Sequence, residues 1–278
     1  MANIKFKRSE RIAAMTSVLT NHPGRQISLN LFTSQLAAKK SALSEDLRTV
    51  KQTLETLGIG EIQSTTGAGG GIRFMPRMPQ ASRQAFLHRL TEELSRPERV
   101  LAGGYLYYSD LISSPDMVQP MAEMLAQHLD FRQADYVVTV ETKGIPLAFT
   151  TARLVNKPLL IVRRVSRVTE GSTISVNYKS GSTGAIQQMV LSRRAMPNGA
   201  KVVMIDDFMR GGGTARGMHD LMNEFDARVL ATGVMMATRH PEDKRSGPYT
   251  PLLYLESVDE ELRQVDISPN EALWGTTG

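Results

Sequence analysis

The sequence contains no cysteine. That excludes a disulfide framework, thiolate-bound zinc, an iron–sulfur cluster and thiol catalysis. No apolar run approaches the ~20 residues that a membrane-crossing helix needs. Residues 1–8 carry charge with no apolar stretch behind them, so a secretory signal is not expected and a cytoplasmic location without a membrane partner is. The five histidines (His22, His88, His128, His219, His240) lack the paired spacing of metal ligands, and no metal site is expected. Tryptophan occurs once, as Trp274, where packing against the core or a partner is the expected role. The rest is ordinary globular composition, with 41% apolar and 22% charged residues among 278, enough for one large domain or two of usual size.

Charge is unevenly spread. Residues 1–78 hold eleven Lys/Arg and five Asp/Glu, an excess of +6, whereas residues 79–278 balance to −1. Such asymmetry points to a polyanionic partner for the first segment. Its pattern agrees. Ile12, Met15 and Leu19 follow Ser9 at helical spacing and stop at Asn21-His22-Pro23-Gly24. A short helix is expected over 30–38, and Lys39-Lys40-Ser41 forms a tight turn with Ser41 as N-cap of a third helix. That helix carries Leu43, Leu47, Val50, Leu54 and Leu57 on one face and ends at Gly58. Two alternating strands then flank the glycine-rich tip 66–71. The order is that of a winged helix-turn-helix, an α+β module whose third helix enters the major groove of double-stranded DNA. Ser44, Arg48 and Lys51 lie on the polar face of that helix. Lys5, Lys7, Arg8, Arg11 and Arg73 are candidates for the phosphate backbone.

The second segment, 79–278, reads as α/β with a mainly parallel sheet: strands near 136–141, 159–164, 201–207, 229–237 and 250–256 alternate with helices. Residues 165–183 are a long polar stretch, expected as a loop that is either functional or disordered. Between 79 and 135, Phe86, Leu87, Leu90 and Leu94, then Met121, Met124 and Leu125, fall at helical spacing. Together with Met117 these methionines suggest core or dimer packing. The strongest signal is Val202-Val203-Met204-Ile205-Asp206-Asp207-Phe208-Met209-Arg210-Gly211-Gly212-Gly213-Thr214. A buried strand ends abruptly in two carboxylates, and a glycine loop leads into a helix opened by Thr214. Bare backbone N–H groups and the helix dipole would cradle a phosphate. Carboxylates beside an anion site make sense if the ligand also offers a vicinal diol, whose hydroxyls they accept. A phosphate with a ribose diol is a ribose 5-phosphate. The string resembles the phosphoribosyl pyrophosphate (PRPP) motif of type I phosphoribosyltransferases.

Further strings extend the likeness: Arg8-Ser9-Glu10-Arg11, Ser44-Glu45-Asp46-Leu47, Gly103-Gly104-Tyr105-Leu106-Tyr107, Thr142-Lys143-Gly144-Ile145-Pro146 and Asn177-Tyr178 with Ser180-Gly181-Ser182. Over about residues 3–275 the chain resembles the purine operon repressors of Gram-positive bacteria. The resemblance implies a winged-helix domain over 1–78 and a type I phosphoribosyltransferase-like effector domain over 79–278. It also implies a homodimeric repressor of purine genes that binds operator DNA and is no catalyst. PRPP, with Mg²⁺ as an optional companion, would be the inducer, and purine nucleotides (ppGpp, GMP-like) would compete for its pocket. By motif position Asp206 and Asp207 would hold the ribose hydroxyls, and Arg210 to Thr214 the 5′-phosphate. Lys143 and Gly144 would meet the pyrophosphate, and Tyr105 and Phe208 would sandwich a purine. Arg210 stands where hypoxanthine–guanine transferases carry an Asp proposed as general base, and an Arg stays protonated. An active purine phosphoribosyltransferase with a regulatory extension remains the alternative, and an activator is open beside a repressor.

Overall fold

The structure is a computed structural model that describes residues 6–67, 70–179, 184–244 and 246–274. The chain divides into two compact units, one of Met1–Pro79 with Arg153–Asn156 and one of Gln80–Ala152 with Lys157–Gly278.

In the first unit, α1 (Arg8–Asn21), α2 (Leu29–Leu36) and α3 (Lys40–Thr56) precede an antiparallel hairpin of β1 (Gly60–Thr65) and β2 (Gly71–Pro76). The helical periods decide what is buried. Met15 and Leu19 of α1, Phe32 and Leu36 of α2, and Leu43, Val50 and Leu54 of α3 close on Ile62, Ile72 and Phe74 of the hairpin. Each such side chain contributes roughly 1.5–3 kcal/mol by leaving water. Ahead of α2, Ile27 makes a single antiparallel bridge to Ile72. Ser28 caps α2 by accepting from the Asn30 N–H, and Ala37 ends it in the left-handed region. Two boundaries differ from expectation. The Leu43 N–H bonds the Lys39 carbonyl (3.1 Å), which closes the first turn of α3 early and places Ser41 inside the helix instead of at its cap. Leu57 lies past the last turn and is exposed.

The second unit opens with α4 (Gln80–Leu94), the short strands β3 (Val100–Leu101) and β4 (Tyr105–Leu106), α5 (Ser109–Ser113) and α6 (Pro115–His128). Met117, Met121 and Met124 are buried along α6. Then come β5 (Tyr136–Val140), α7 (Ile145–Val155), β6 (Leu159–Val162), β7 (Thr173–Lys179), β8 (Ile186–Ser192), β9 (Lys201–Met209), α8 (Gly213–Asn223), β10 (Arg228–Thr238), β11 (Thr250–Asp259) and β12 (Gln264–Pro269). The main sheet has the order β12-β11-β10-β9-β5-β6, parallel except for β12. Val202 and Met204 of β9, Val138 and Val140 of β5, and Met218, Leu221 and Met222 of α8 share one core.

Two expectations are corrected. No helix lies between β10 and β11 among the described residues; Pro241, Gly247 and Pro248 break 239–249 into turns. The polar stretch 165–183 is also not all loop. Ile174, Val176 and Tyr178 alternate along β7, which pairs with β8 in an antiparallel hairpin. Residues 180–183, with the Ser180-Gly181-Ser182 string, lie outside the described residues.

Candidate functional site

Parallel strands bring their carboxyl ends to one edge of the sheet, where ligands of such folds collect. Val138 of β5 lies opposite Met204 of β9, so the turn 141–144 stands beside Asp206. A cleft of ≈ 880 Å³ opens there, bordered by Asp206, Asp207, Lys143, Arg164, Tyr105 and Tyr108 among others.

The acidic pair is held from inside the protein. Asp206 is only 7% exposed, and the Asp207 N–H donates to its Oδ1 (2.9 Å). Burial first, and then the charge of Asp207, push the Asp206 carboxyl well above the ordinary carboxylate range. The Tyr108 hydroxyl donates to Asp207 Oδ2 (2.6 Å). Burial and that same carboxylate raise the Tyr108 pKa, so its proton stays in place. Lys143 arches over the Tyr108 ring, its Nζ 4.6 Å from the centroid. Gly144 has a second reason to be glycine besides close approach to a ligand. A Cβ there would stand 2.6 Å from Asp206 Oδ1 and 2.7 Å from Thr139 Oγ1. Arg164 reaches the cleft from the end of β6; its N–H donates to Glu141 Oε1 (2.7 Å) and its guanidinium bonds Gln187.

Beside the acids, Arg210 to Thr214 border a smaller recess of ≈ 80 Å³ at the start of α8. Gly212 caps this helix, whose unpaired N–H groups and dipole favour an anion. Buried Lys244 supports the loop from behind. Its Nζ donates to the Arg210 carbonyl (2.6 Å) and to Thr238 Oγ1 (2.9 Å), and burial lowers its pKa.

The structure therefore gathers Asp206, Asp207, Phe208, Arg210, Thr214, Lys143 and Tyr105 at one cleft, with Gly211, Gly212 and Gly213 in the adjoining recess. Tyr105 is 53% exposed, an aromatic face turned to solvent. Gly144 packs beneath Asp206, and the Met209 side chain belongs to the core. Sequence reasoning missed Tyr108, Arg164 and Lys244. Among the described residues no cluster of His, Asp and Glu is arranged to hold a metal.

On the first unit Ser44, Arg48 and Lys51 are exposed along α3, one or two turns apart, with Lys51 3.8 Å from Glu55. Lys7 is exposed, and Arg73 is half-buried with its guanidinium against Gln26 (3.4 Å). Lys5 lies outside the described residues. Asp46, 1% exposed, sits among the buried residues of α3 and accepts from Arg11 Nε (2.7 Å) and Arg8 Nε (3.3 Å). Arg8 still keeps 64% of its side chain in solvent, whereas Arg11 keeps 16% and also donates to the Phe6 carbonyl. The pair thus ties the first turn of α1 to α3. Leu47 alongside hid it from a reading based on hydrophobic spacing.

Residues 7–76 match the N-terminal domain of the bacterial purine repressor, and residues 108–268 match the phosphoribosyl transferase domain. The chain is 40% identical over 264 residues to the purine biosynthesis transcriptional repressor PurR of Bacillus subtilis (strain 168), spanning 95% of this chain and 93% of that one. It is 35% identical to the purine biosynthesis transcriptional activator PurR of Lactococcus lactis subsp. lactis (strain IL1403), over 94% and 97% of the two chains. A crystal structure of adenine phosphoribosyltransferase from Saccharomyces cerevisiae superposes with a TM-score of 0.53 on 60% of this chain and 97% of its own, at 19% identity. That likeness is one of fold. These two full-length relatives are named as regulators and not as enzymes. No helix among the described residues is long and apolar enough to cross a membrane. With a DNA-binding unit of the purine-repressor type joined to a phosphoribosyltransferase fold, the chain belongs to the PurR family of purine-biosynthesis transcription regulators.

Proposed function

We propose that the protein is a homodimeric repressor that grips operator DNA of purine genes with α3 and its flanking basic residues, and that releases it when PRPP fills the cleft. One observation carries this reading: two carboxylates and a bare helix N-terminus are contiguous at the end of β9, as a ribose diol and its 5′-phosphate require. Lys143 adds charge where a pyrophosphate would extend, and any Mg²⁺ would arrive on that pyrophosphate. Tyr105 and Phe208 border the same cleft and offer flat faces to a purine, which supports competition by purine nucleotides such as ppGpp or a GMP-like ligand. Arg210 adds a cation for phosphate binding but an Arg is no general base, which suits a sensor better than a transferase. Coupling needs only that PRPP prefer a state with lower DNA affinity.

The test is a gel-shift titration on a purine-gene control region. PRPP should weaken the complex and ppGpp should oppose it. Changing Asp206 and Asp207 to Ala should abolish the PRPP response while operator binding persists. A double variant that still lets go of DNA on PRPP addition would refute the assignment of the pocket.

A further inference from the structure

One side chain touches both halves of the cleft. The Tyr108 hydroxyl is bonded to Asp207 Oδ2, and its ring carries the Lys143 ammonium on its face. Tyr108 is itself almost fully buried, so its position is set by packing and not by solvent. On the other carboxylate, Asp206 Oδ1 is committed to the Asp207 N–H. The two carboxyls also meet side chain to side chain, so the pair is fixed as a unit whose outer anchor is the Tyr108 hydroxyl on Asp207 Oδ2. A carboxyl pair held in one orientation can meet the neighbouring hydroxyls of a vicinal diol. Without the phenol, Asp207 loses the bond that sets the direction of its Oδ2.

We infer that Tyr108 is a positioning residue that makes the cleft selective for ribose over deoxyribose, by fixing the direction in which Asp207 meets a sugar hydroxyl. The inference rests on the reading of the cleft as a sugar-phosphate site. It adds a residue placed 99 positions from its partner in the chain and absent from the phosphate-loop motif. The ring has a second task. It seats Lys143, so removing the whole side chain should affect pyrophosphate binding as well, whereas removing the hydroxyl alone should not.

The experiment displaces PRPP from the full-length protein with ribose 5-phosphate and with 2-deoxyribose 5-phosphate, and compares the two inhibition constants. In the unaltered protein the ribose compound should compete better, by about tenfold, the worth of a hydrogen bond to a charged group. In Tyr108→Phe that ratio should fall toward one, mainly through weaker binding of the ribose compound, with the thermal midpoint showing that the fold is kept. Tyr108→Leu should in addition weaken PRPP itself, whose pyrophosphate Lys143 would meet. A Tyr108→Phe variant with an unchanged ratio overturns the inference and leaves the cleft assignment standing, as does one in which both sugars weaken equally. A ratio near one in the unaltered protein overturns the cleft assignment itself, and the inference with it.

Discussion

Burial penalises the charged form of Asp206, and the neighbouring Asp207 penalises it again. A carboxyl whose folded-state pKa is raised stabilises the fold only while it is protonated in both states. That contribution is complete below the ordinary carboxylate pKa and is lost as pH rises toward the raised value. Asp206→Asn should therefore stabilise the protein at pH 7, by about 1–2 kcal/mol, and by less at pH 4. Urea denaturation at the two pH values checks this; equal gains at both would show that burial of the acid costs nothing. The same change should weaken PRPP binding, so the stability given up at this position marks a site kept for function. Its two acids were legible in the sequence because charge rarely follows a run as apolar as Val202–Ile205, although β9 does not end there and continues through both acids to Met209. Tyr108 and Lys244 were not, since each meets the motif only through the fold, from 99 and 34 positions away.

At the scale of elements, legibility followed the strength of the apolar pattern. The third helix was readable from Leu43, Val50 and Leu54, yet the buried Asp46 within that face was invisible until α1 brought Arg8 and Arg11 to it. On the opposite face, Arg48→Ala or Lys51→Ala should weaken DNA binding and leave PRPP affinity unchanged by calorimetry. If the side chain neutralises a phosphate, its removal should lower the slope of log affinity against log salt by about one. If it reads a base edge, its removal should relax sequence preference instead. The β7–β8 hairpin shows the converse. Its alternation was present in Ile174, Val176 and Tyr178 but was obscured by the polar residues between them. The hairpin is held to α8 at Gly217, where a Cβ would come within 2.7 Å of Tyr178 Cγ and 2.8 Å of its Cβ. Overpacking of that kind costs about 1–3 kcal/mol. Gly217→Ala should accordingly lower the thermal midpoint and speed proteolysis within 165–192, and a midpoint equal to that of the unaltered protein would mean the hairpin yields freely.

For the molecule as a whole, the concentration of positive charge in the first quarter of the chain and the phosphate motif in the remainder were both plain in the sequence, because each is a property of a contiguous stretch. Regulation is a property of neither stretch alone. If PRPP and operator DNA bind one chain at separate places, their effects on each other are bound by linkage: the factor by which saturating PRPP weakens DNA binding must equal the factor by which DNA weakens PRPP binding. A tenfold shift corresponds to about 1.4 kcal/mol of coupling. We expect the PRPP dissociation constant, measured by calorimetry on free protein and on protein saturated with operator duplex, to rise by the same factor that PRPP imposes in the gel shift at equal salt. Salt must be matched because the DNA arm weakens steeply as ions are added. Equal factors would mean that PRPP and DNA are coupled through binding to the same species. Unequal factors would mean that PRPP acts through another species, such as a change in dimerisation, and that difference would appear as a dependence on protein concentration.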